Sequence, residues 1–168
     1  MAQNCPMTDT TIRPAEAADA EFLWDVLVEV AKAPYYRRTR AELLADPDVR
    51  HYLDGWPRDT DLGVIAIEPD GSPIGAAWLR QFTEADRSDG FVGEGIPELA
   101  VGVLAEHRGR GVGKALMRAM TETAQQAGLE HISLSVDRPN PAVALYKSSG
   151  YRVVQERTHS LVMVLDLA

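Results

Sequence analysis

The sequence predicts an α/β (α+β) fold, a single domain in which helices cover one mixed sheet. Short apolar runs typical of strands alternate with longer segments that place apolar residues at helical spacing. The predicted order along the chain is β-α-α-β-β-β-α-β-α-β-β, and such an order indicates a mixed sheet. The chain has 168 residues without an internal repeat, low-complexity tract or linker, which fits one domain with a full core.

The first predicted elements follow a short N-terminal segment. We expect residues 1–9 to be a flexible tail and residues 10–168 to form the domain. Apolar residues at helical spacing predict a helix over Ala17–Lys32, capped by Asp19 and ended by Pro34. A short strand precedes this helix, and a second short helix and an irregular segment with aromatic contacts follow it: Thr10–Pro14, Arg40–Ala45 and Pro47–Asp61.

The middle of the chain changes to the strand period. Leu62–Glu68 and Ile74–Phe82 are predicted strands on either side of the turn signal Pro69–Ser72, so together they form a hairpin. The polar, acidic stretch Thr83–Gly95 is predicted to be a loop, and loops of this length in compact domains are often functional. A third strand is predicted over Ile96–Val103.

The last part of the chain begins with the clearest helix. Apolar and small residues form a stripe from Val112 to Ala127, and Gly128 is a typical helix stop. The apolar strand Leu161–Leu165 would pair with a second subunit if it lay at a sheet edge, so the sequence leaves a homodimer open. The other predicted elements are a strand, a helix and two closing strands: His131–Val136, Asn140–Gly150, Tyr151–Glu156 and Ser160–Asp166.

The composition argues against several classes of function. The net charge of −8 disfavours nucleic-acid binding, which needs a basic face, and attracts cations such as protonated amines. No apolar run approaches the roughly 20 residues of a membrane-spanning helix, and the N-terminus lacks a secretory signal. The single cysteine, Cys5, fits a reducing cytoplasm. The histidines lack metal-ligand spacing, so no metal site is expected: His51, His107, His131 and His159.

A glycine-rich turn connects a predicted strand to the predicted helix after it. It reads E-H-R-G-R-G-V-G-K over Glu106–Lys114. Backbone amides in such a turn can approach an anion because glycine has no side chain, and the helix N-terminus adds partial positive charge. The spacing is not that of a P-loop, which needs four residues where this chain has three between Gly109 and Gly113. It is not the G-x-G-x-x-G dinucleotide motif either, since Lys114 occupies the place of the third glycine.

Two motifs in this part of the chain together resemble a known family. Arg108-x-x-Gly111-x-Gly113, shortly after the residues E-L-A-V-G-V, resembles the signature Q/R-x-x-G-x-G/A of the GNAT superfamily of N-acetyltransferases. The stretch N-P-A-V-A-L-Y-K-S-S-G-Y over Asn140–Tyr151 is similar to a second block of that family. The resemblance extends over Ile96–Tyr151 and implies a GNAT-like domain with a mixed, mostly antiparallel, twisted sheet flanked by helices.

The resemblance implies acetyl-coenzyme A as co-substrate. The backbone of Val101–Val103 would pair with the pantetheine arm, and the amides of Gly109–Lys114 would hold the pyrophosphate. Asn140 would lie near the coenzyme, although its side chain also suits a helix cap. The implied coenzyme-binding residues are Val101, Gly102, Val103, Arg108, Gly109, Arg110, Gly111, Val112, Gly113, Lys114 and Asn140.

Acetyl transfer to an amine needs a base, because an alkyl amine with a pKa of about 10.4 is protonated at pH 7. By the resemblance, Glu98 matches a position that often carries the base, and Glu94 is the alternative. Some relatives place a carboxylate in the following strand, where this chain has Ser135. Tyr146 would lie near the coenzyme sulfur and assist the departing thiolate.

The function implied by the resemblance is acetyl-CoA-dependent N-acetyl transfer to a primary amine of a small molecule or peptide, by direct attack on the thioester. A non-catalytic acyl-CoA sensor on the same fold is one alternative. An acyltransferase for another acceptor or a longer acyl chain is a second. The acceptor would meet the acidic loop Glu84–Glu94 and a set of aromatic residues: Tyr35, Tyr36, Tyr52, Trp56 and Phe82.

Overall fold

Seven strands form one sheet in the computed structural model, which describes residues 9–32 and 38–167. The strands are β1 (Thr11–Pro14), β2 (Leu62–Ile67), β3 (Pro73–Arg80), β4 (Glu98–Val103), β5 (His131–Asp137), β6 (Arg152–Glu156) and β7 (Ser160–Asp166). The helices are α1 (Ala20–Ala31), α2 (Arg40–Ala45), α3 (Pro47–Arg50), α4 (Val112–Gln126) and α5 (Ala142–Ser148). The predictions for the tail up to residue 8 and for Cys5, Pro34, Tyr35 and Tyr36 lie outside the described residues.

The strand order across the sheet is β1-β2-β3-β4-β5-β7-β6. Only β4 and β5 run parallel, and all other neighbouring strands of the described sheet are antiparallel. The prediction of a mixed, mostly antiparallel sheet is therefore confirmed. The suggestion that Leu161–Leu165 lies at a sheet edge is wrong, because β7 is paired on both sides, with β5 and with β6. The reason for expecting a homodimer through that strand is thereby removed.

Helices cover both faces of the sheet. On one face, α4 buries Leu116 and Met120 against the sheet. On the other face, α1 buries Leu23 against Trp78 of β3. The central strand β3 is buried on both faces, which explains its nearly uninterrupted apolar sequence. None of the described helices is long and apolar enough to span a membrane.

Most predicted elements agree with the structure within a few residues, and α2 has the predicted bounds. The prediction that Pro47–Asp61 is irregular throughout is wrong, because its first residues form α3. The carboxylate of Asp46 accepts a hydrogen bond from the Asp48 amide at 2.9 Å, and Pro47 occupies the first turn. A cap followed by proline is a typical helix start.

The capping role predicted for Asp19 is also wrong. A separate turn of 3-10 helix, Ala17–Asp19, precedes α1, and the Asp19 side chain does not cap α1. Its carboxylate instead accepts from the Glu16 amide at 2.7 Å and pairs with Arg13 at 2.7 Å. Asp19 therefore fastens the start of the helical segment to β1.

Candidate active site

The parallel strands β4 and β5 pair only where they begin. Glu98 and Ser133 are the single pair between them in the described chain, and the Ser133 amide donates to the Pro97 carbonyl at 3.0 Å. Past this point β4 stays paired with β3, and β5 stays paired with β7. A gap therefore opens in the middle of the sheet, and its walls present backbone groups with which an extended ligand can pair.

Gly102 brings α1 close to one wall of this gap. A Cβ on Gly102 would lie 2.7 Å from Val30 Cγ2 and 2.8 Å from Val26 Cγ1. No real side chain tolerates contacts that short, so glycine permits the approach of α1 to β4. The neighbouring Val101 and Val103 pack against the opposite core, beneath α4. This stretch of β4 is thus fixed from both faces while its edge faces the gap.

The turn before α4 has the geometry of an anion site. Gly109 and Gly111 have φ angles of 77° and 81°, a region that favours glycine. α4 begins at Val112 without a side-chain cap and without an acidic residue in its first turn. Its first amides therefore lack intrahelical partners, and the positive end of the helix dipole is open to a phosphate group. By contrast, α2 begins with a complete capping box between Thr39 and Glu42.

An open cleft of about 380 Å³ lies in front of this turn. The end of β4, the turn, the start of α4 and one side of α5 line it: Val103, His107, Arg108, Gly109, Gly111, Val112, Gly113, Lys114, Ala142 and Leu145. Seven of the eleven predicted coenzyme-binding residues are in this set, so the structure brings most of them together around one cavity.

The basic side chains of the turn differ in their surroundings. Arg108 Nε donates to the Val103 carbonyl at 3.1 Å, and its guanidinium lies 3.6 Å from Glu29 of α1. Arg110 lies 2.9 Å from Glu68 at the end of β2. Lys114 is exposed and forms no ion pair with any described residue. A bound phosphate would meet Lys114 directly and would compete with carboxylates for the two arginines.

Asn140 lies just before α5, and Tyr146 lies within it. Asn140 Oδ1 accepts from the Ala142 amide at 2.9 Å, so its side chain performs the capping role that the sequence allowed. Tyr146 is 9% exposed, and its ring centroid lies 6.0 Å from that of Tyr151. Burial raises the pKa of Tyr146 to about 12, so its phenol stays protonated at neutral pH.

Glu98 lies at the closed end of the gap and is only 3% exposed. Burial raises the pKa of its carboxyl group to about 7, while the nearby Ser88 and Tyr52 hydroxyls and the Gly90 amide act in the opposite direction. A Cβ on Gly90 would collide with Glu98 Oε1, so the loop backbone lies directly against the carboxylate. Glu98 Oε2 has no hydrogen-bond partner among the described residues. A buried carboxyl group with a pKa near neutrality suits a general base.

The acidic loop between β3 and β4 covers Glu98 and is tied down on two sides. The Asp89 amide donates to the Tyr52 hydroxyl at 3.2 Å, and Arg157 donates to the Asp89 carbonyl at 2.7 Å. His51 Nδ1 lies 2.8 Å from Asp86 Oδ1. These contacts hold the loop between the turn after α3 and the β6–β7 hairpin.

Only some of the aromatic residues predicted to meet the acceptor lie beside the acidic loop. The rings of Tyr52 and Phe82 meet with centroids 5.3 Å apart beside the acidic loop. Trp56 instead donates to the Glu16 carbonyl at 3.2 Å, near β1 and away from the loop. The alternative base, Glu94, accepts from the Glu84 amide at 3.2 Å on the exposed outer side of the loop.

The sequence did not identify Ser88 and Gly90 as site residues. Both are small residues within a long loop that the sequence did predict to be functional. Their contact with Glu98 depends on how the loop folds back over the start of β4. Within the described ranges, no group of three histidine, cysteine or acidic side chains could hold a metal ion.

Comparison with known proteins adds to this geometry. Residues 24–151 match the acetyltransferase (GNAT) family. A mycothiol acetyltransferase from Thermobispora bispora is 37% identical over 90 residues, which are 53% of this chain and 30% of that protein. Another, from Kocuria rhizophila, is 34% identical over 155 residues, which are 90% of this chain and 48% of that protein. The chain thus spans less than half the length of these curated relatives.

Two solved structures share the fold. A GCN5-related N-acetyltransferase from Kribbella flavida is 24% identical, with 94% of this chain and 97% of that chain covered at a TM-score of 0.66. The PaiA N-acetyltransferase from Thermoplasma acidophilum, solved in complex with coenzyme A, is 19% identical, with 95% and 99% covered at a TM-score of 0.66. The family match covers most of the sheet and both predicted motifs. The chain therefore belongs to the acetyltransferase (GNAT) family.

Proposed function

We propose that this chain transfers an acetyl group from acetyl-CoA to a primary amine of a small molecule or peptide, by direct attack of the amine on the thioester. One observation carries the proposal. The gap between β4 and β5 has an uncapped helix start beside its open end and the buried Glu98 at its closed end. This arrangement supports an anion site and a base at opposite ends of one slot.

The open end suits the coenzyme. The amides of the turn Gly109–Lys114 would bind the pyrophosphate, and Lys114 would add a mobile charge. The edge of β4 over Val101–Val103 would pair with the amide groups of the pantetheine arm, as an added strand would. With these contacts the thioester would lie inside the gap, between β4 and β5.

The closed end suits the activation of the amine. Glu98 has a pKa of about 7, so a large share of it is ionised at neutral pH and ready to accept a proton. Because the carboxylate is almost fully buried, we infer that it acts through a water molecule rather than by touching the amine. Backbone amides of β4 would stabilise the negative charge that develops on the carbonyl oxygen of the thioester.

The departing thiolate would receive a hydrogen bond from Tyr146. Complete proton transfer is unfavourable, because the pKa of about 12 for Tyr146 exceeds the ordinary thiol value of about 8.5 by an amount worth roughly 5 kcal/mol. A phenol that keeps its proton still stabilises negative charge developing on sulfur. We therefore assign Tyr146 the role of hydrogen-bond donor rather than that of full acid.

The acceptor would enter beside the acidic loop. The loop carries Glu84, Asp86, Asp89 and Glu94, and the charge of the chain as a whole is negative. Both attract a protonated amine. The curated relatives are named for mycothiol, which supports a small-molecule acceptor, although the chain spans only 30% to 48% of the two compared above.

The test is release of free thiol from acetyl-CoA across a panel of small amines and peptides, with coenzyme binding measured separately by calorimetry. Glu98→Gln should lower kcat/KM by about 100-fold or more while leaving coenzyme affinity unchanged. Glu94→Gln is the comparison variant, because it removes the carboxylate of the alternative base, on the exposed outer side of the acidic loop that precedes β4. Coenzyme binding without thiol release from any amine would contradict the proposal and favour a sensor.

A further inference from the structure

Several neighbours fix the backbone and the side chain of Tyr52, in the turn after α3. Its carbonyl accepts a hydrogen bond from Trp78 Nε1 at 3.1 Å. Its ring packs edge-on against His51, with centroids 4.8 Å apart, and against Phe82. Its hydroxyl oxygen accepts from the Asp89 amide at 3.2 Å. Backbone, ring and hydroxyl are therefore each fixed by a different neighbour.

A buried ion pair fixes the turn that carries Tyr52. Arg80 of β3 donates to the carbonyls of His51 and Asp54, at 3.0 Å and 2.7 Å, on either side of Tyr52. The same guanidinium makes two hydrogen bonds to Asp61, and both side chains are almost fully buried. Arg80 also lies directly opposite Glu98 in the β3–β4 pairing. The strand next to the base thus holds the turn in place over it.

The tyrosine hydroxyl has one proton to donate. Because the Asp89 amide donates to its oxygen, the phenol proton is directed elsewhere. The carboxylate of Glu98 lies against Gly90, the chain neighbour of Asp89, and its buried Oε2 has no hydrogen-bond partner among the described residues. The adjacent loop residues Asp89 and Gly90 therefore bring the phenol and the carboxylate together, and the two groups influence each other's ionisation. A neutral phenol can donate to a carboxylate, and a carboxylate can only accept.

We propose that Tyr52 is a positioning residue for Glu98: its hydroxyl, fixed by the Asp89 amide, donates to the carboxylate and keeps it oriented and ionised for proton transfer. This inference rests on the proposed role of Glu98 as base. Nothing in the signature motifs of the chain marks Tyr52, because it lies in the turn between α3 and β2.

Polar and charged groups face Glu98 from several elements. Tyr52 faces it from the turn after α3, Asp89 from the acidic loop, and the Arg80–Asp61 pair from the neighbouring strand. The negative charge of Asp89 raises the pKa of Glu98, whereas the Tyr52 hydroxyl lowers it. The His51 ring contacts the Tyr52 ring, and His51 in turn pairs with Asp86. Removing the Tyr52 hydroxyl should therefore raise the pKa of Glu98.

The experiment follows the titration of Glu98 directly, by the carboxyl carbon resonances of protein labelled with ¹³C-glutamate. The Glu98 resonance is assigned by its loss in Glu98→Gln. Tyr52→Phe keeps the ring and removes the hydroxyl, so we expect the midpoint to rise by about one pH unit, the order of a hydrogen bond to a charged group. Phe82→Leu disturbs the packing of Tyr52 but keeps its hydroxyl, and should leave the midpoint nearly unchanged.

A folded Tyr52→Phe protein with an unchanged midpoint would overturn the proposal, and so would an equal shift in Phe82→Leu. The readout does not need turnover. If no amine yields thiol release with the wild-type protein, the proposed function fails while the resonance still decides the contact between Tyr52 and Glu98.

Where transfer is observed, the same variant has a kinetic signature. Below its pKa the base is protonated and inactive. In Tyr52→Phe the acidic limb of the pH profile of kcat/KM should therefore shift to higher pH by about one pH unit. Activity at pH 7 should fall by about fivefold, and most of it should return at pH 9. A uniform loss at all pH values would indicate general damage and would contradict the positioning role.

Discussion

Glu98 of β4 and Ser133 of β5 form the only pair between these two strands in the described chain, and the gap in the sheet begins at this pair. The side chain of Glu98 therefore lies at the vertex where the strands diverge. A carboxylate at that vertex is shielded from bulk water but remains next to the slot in which a thioester would lie. The pairing thus explains how the proposed base can be buried and still lie near the place proposed for the thioester.

Glu98→Gln should stabilise the protein above pH 7 and have little effect near pH 4.5. Burial raises the pKa of Glu98 from 4.5 to about 7, so in this range the native state keeps a proton that the unfolded chain releases. Stability therefore falls as the pH rises from 4.5 to 7, and the full penalty, roughly 3 kcal/mol, is present above pH 7.

Urea unfolding at pH 5 and pH 8 measures this effect. Glu94→Gln is the comparison variant, because it removes an exposed carboxylate from the acidic loop that precedes β4. Equal behaviour of the two variants would show that Glu98 titrates normally in the folded protein.

Tyr146→Phe should lower kcat by roughly tenfold and leave the Kd of the coenzyme within about twofold, because the phenol acts on charge that develops only in the transition state. Tyr151→Phe is the control, since its ring is equally buried and packs against Tyr146. Steady-state kinetics and calorimetry separate the two quantities. Equal losses in turnover and binding would contradict the role assigned to Tyr146.

Gly102→Ala should destabilise the fold by about 1–3 kcal/mol, because its Cβ would overlap Val30 and Val26 and push α1 away from β4. Gly93→Ala is the matched control, since a Cβ there meets no atom within 4 Å. Chemical denaturation compares the two variants. Similarly small losses of unfolding free energy in the two variants would mean that α1 can move away from β4 without destabilising the fold.

Lys114→Met should weaken coenzyme binding by about fivefold at low salt, the amount that an exposed charge pair worth about 1 kcal/mol contributes. The loss should shrink in 0.5 M salt as the charges are screened. Arg118→Met removes an exposed charge one turn further along α4 and should have a smaller effect. Calorimetric titration with coenzyme A measures the affinity of both variants. Equal losses of affinity would show that Lys114 acts only through the general positive potential around α4.

The local elements were predictable because their signals are local. The bounds of α2 follow from a helical pattern with Thr39 before it, and the hairpin of β2 and β3 from two apolar runs around a turn. The uncapped start of α4 follows from glycines at the positions that require positive φ. In each case neighbouring residues decide the conformation.

The order of strands was not predictable in the same way. The sequence left open whether the apolar strand Leu161–Leu165 lies at an edge, and in the structure β6 pairs with the outer side of β7. The environment of Glu98 is a similar case, because Tyr52 reaches it from a segment far away in the sequence and the loop before β4 folds back to bring Ser88 and Gly90 against it. Their role depends on tertiary packing, which no local pattern records.

The buried pair of Arg80 and Asp61 has a consequence for how this family can vary. Losing either partner alone would leave an uncompensated charge in the interior, at a cost of about 3–5 kcal/mol, whereas losing both together would leave no buried charge and only the His51 and Asp54 carbonyls without their donor. Arg80 also holds the carbonyls around Tyr52, so a lone change would loosen the turn above the base. Positions 61 and 80 should therefore be exchanged together during divergence, as one inherited unit, and a chimaera that separates them should fold poorly even when both parents are active.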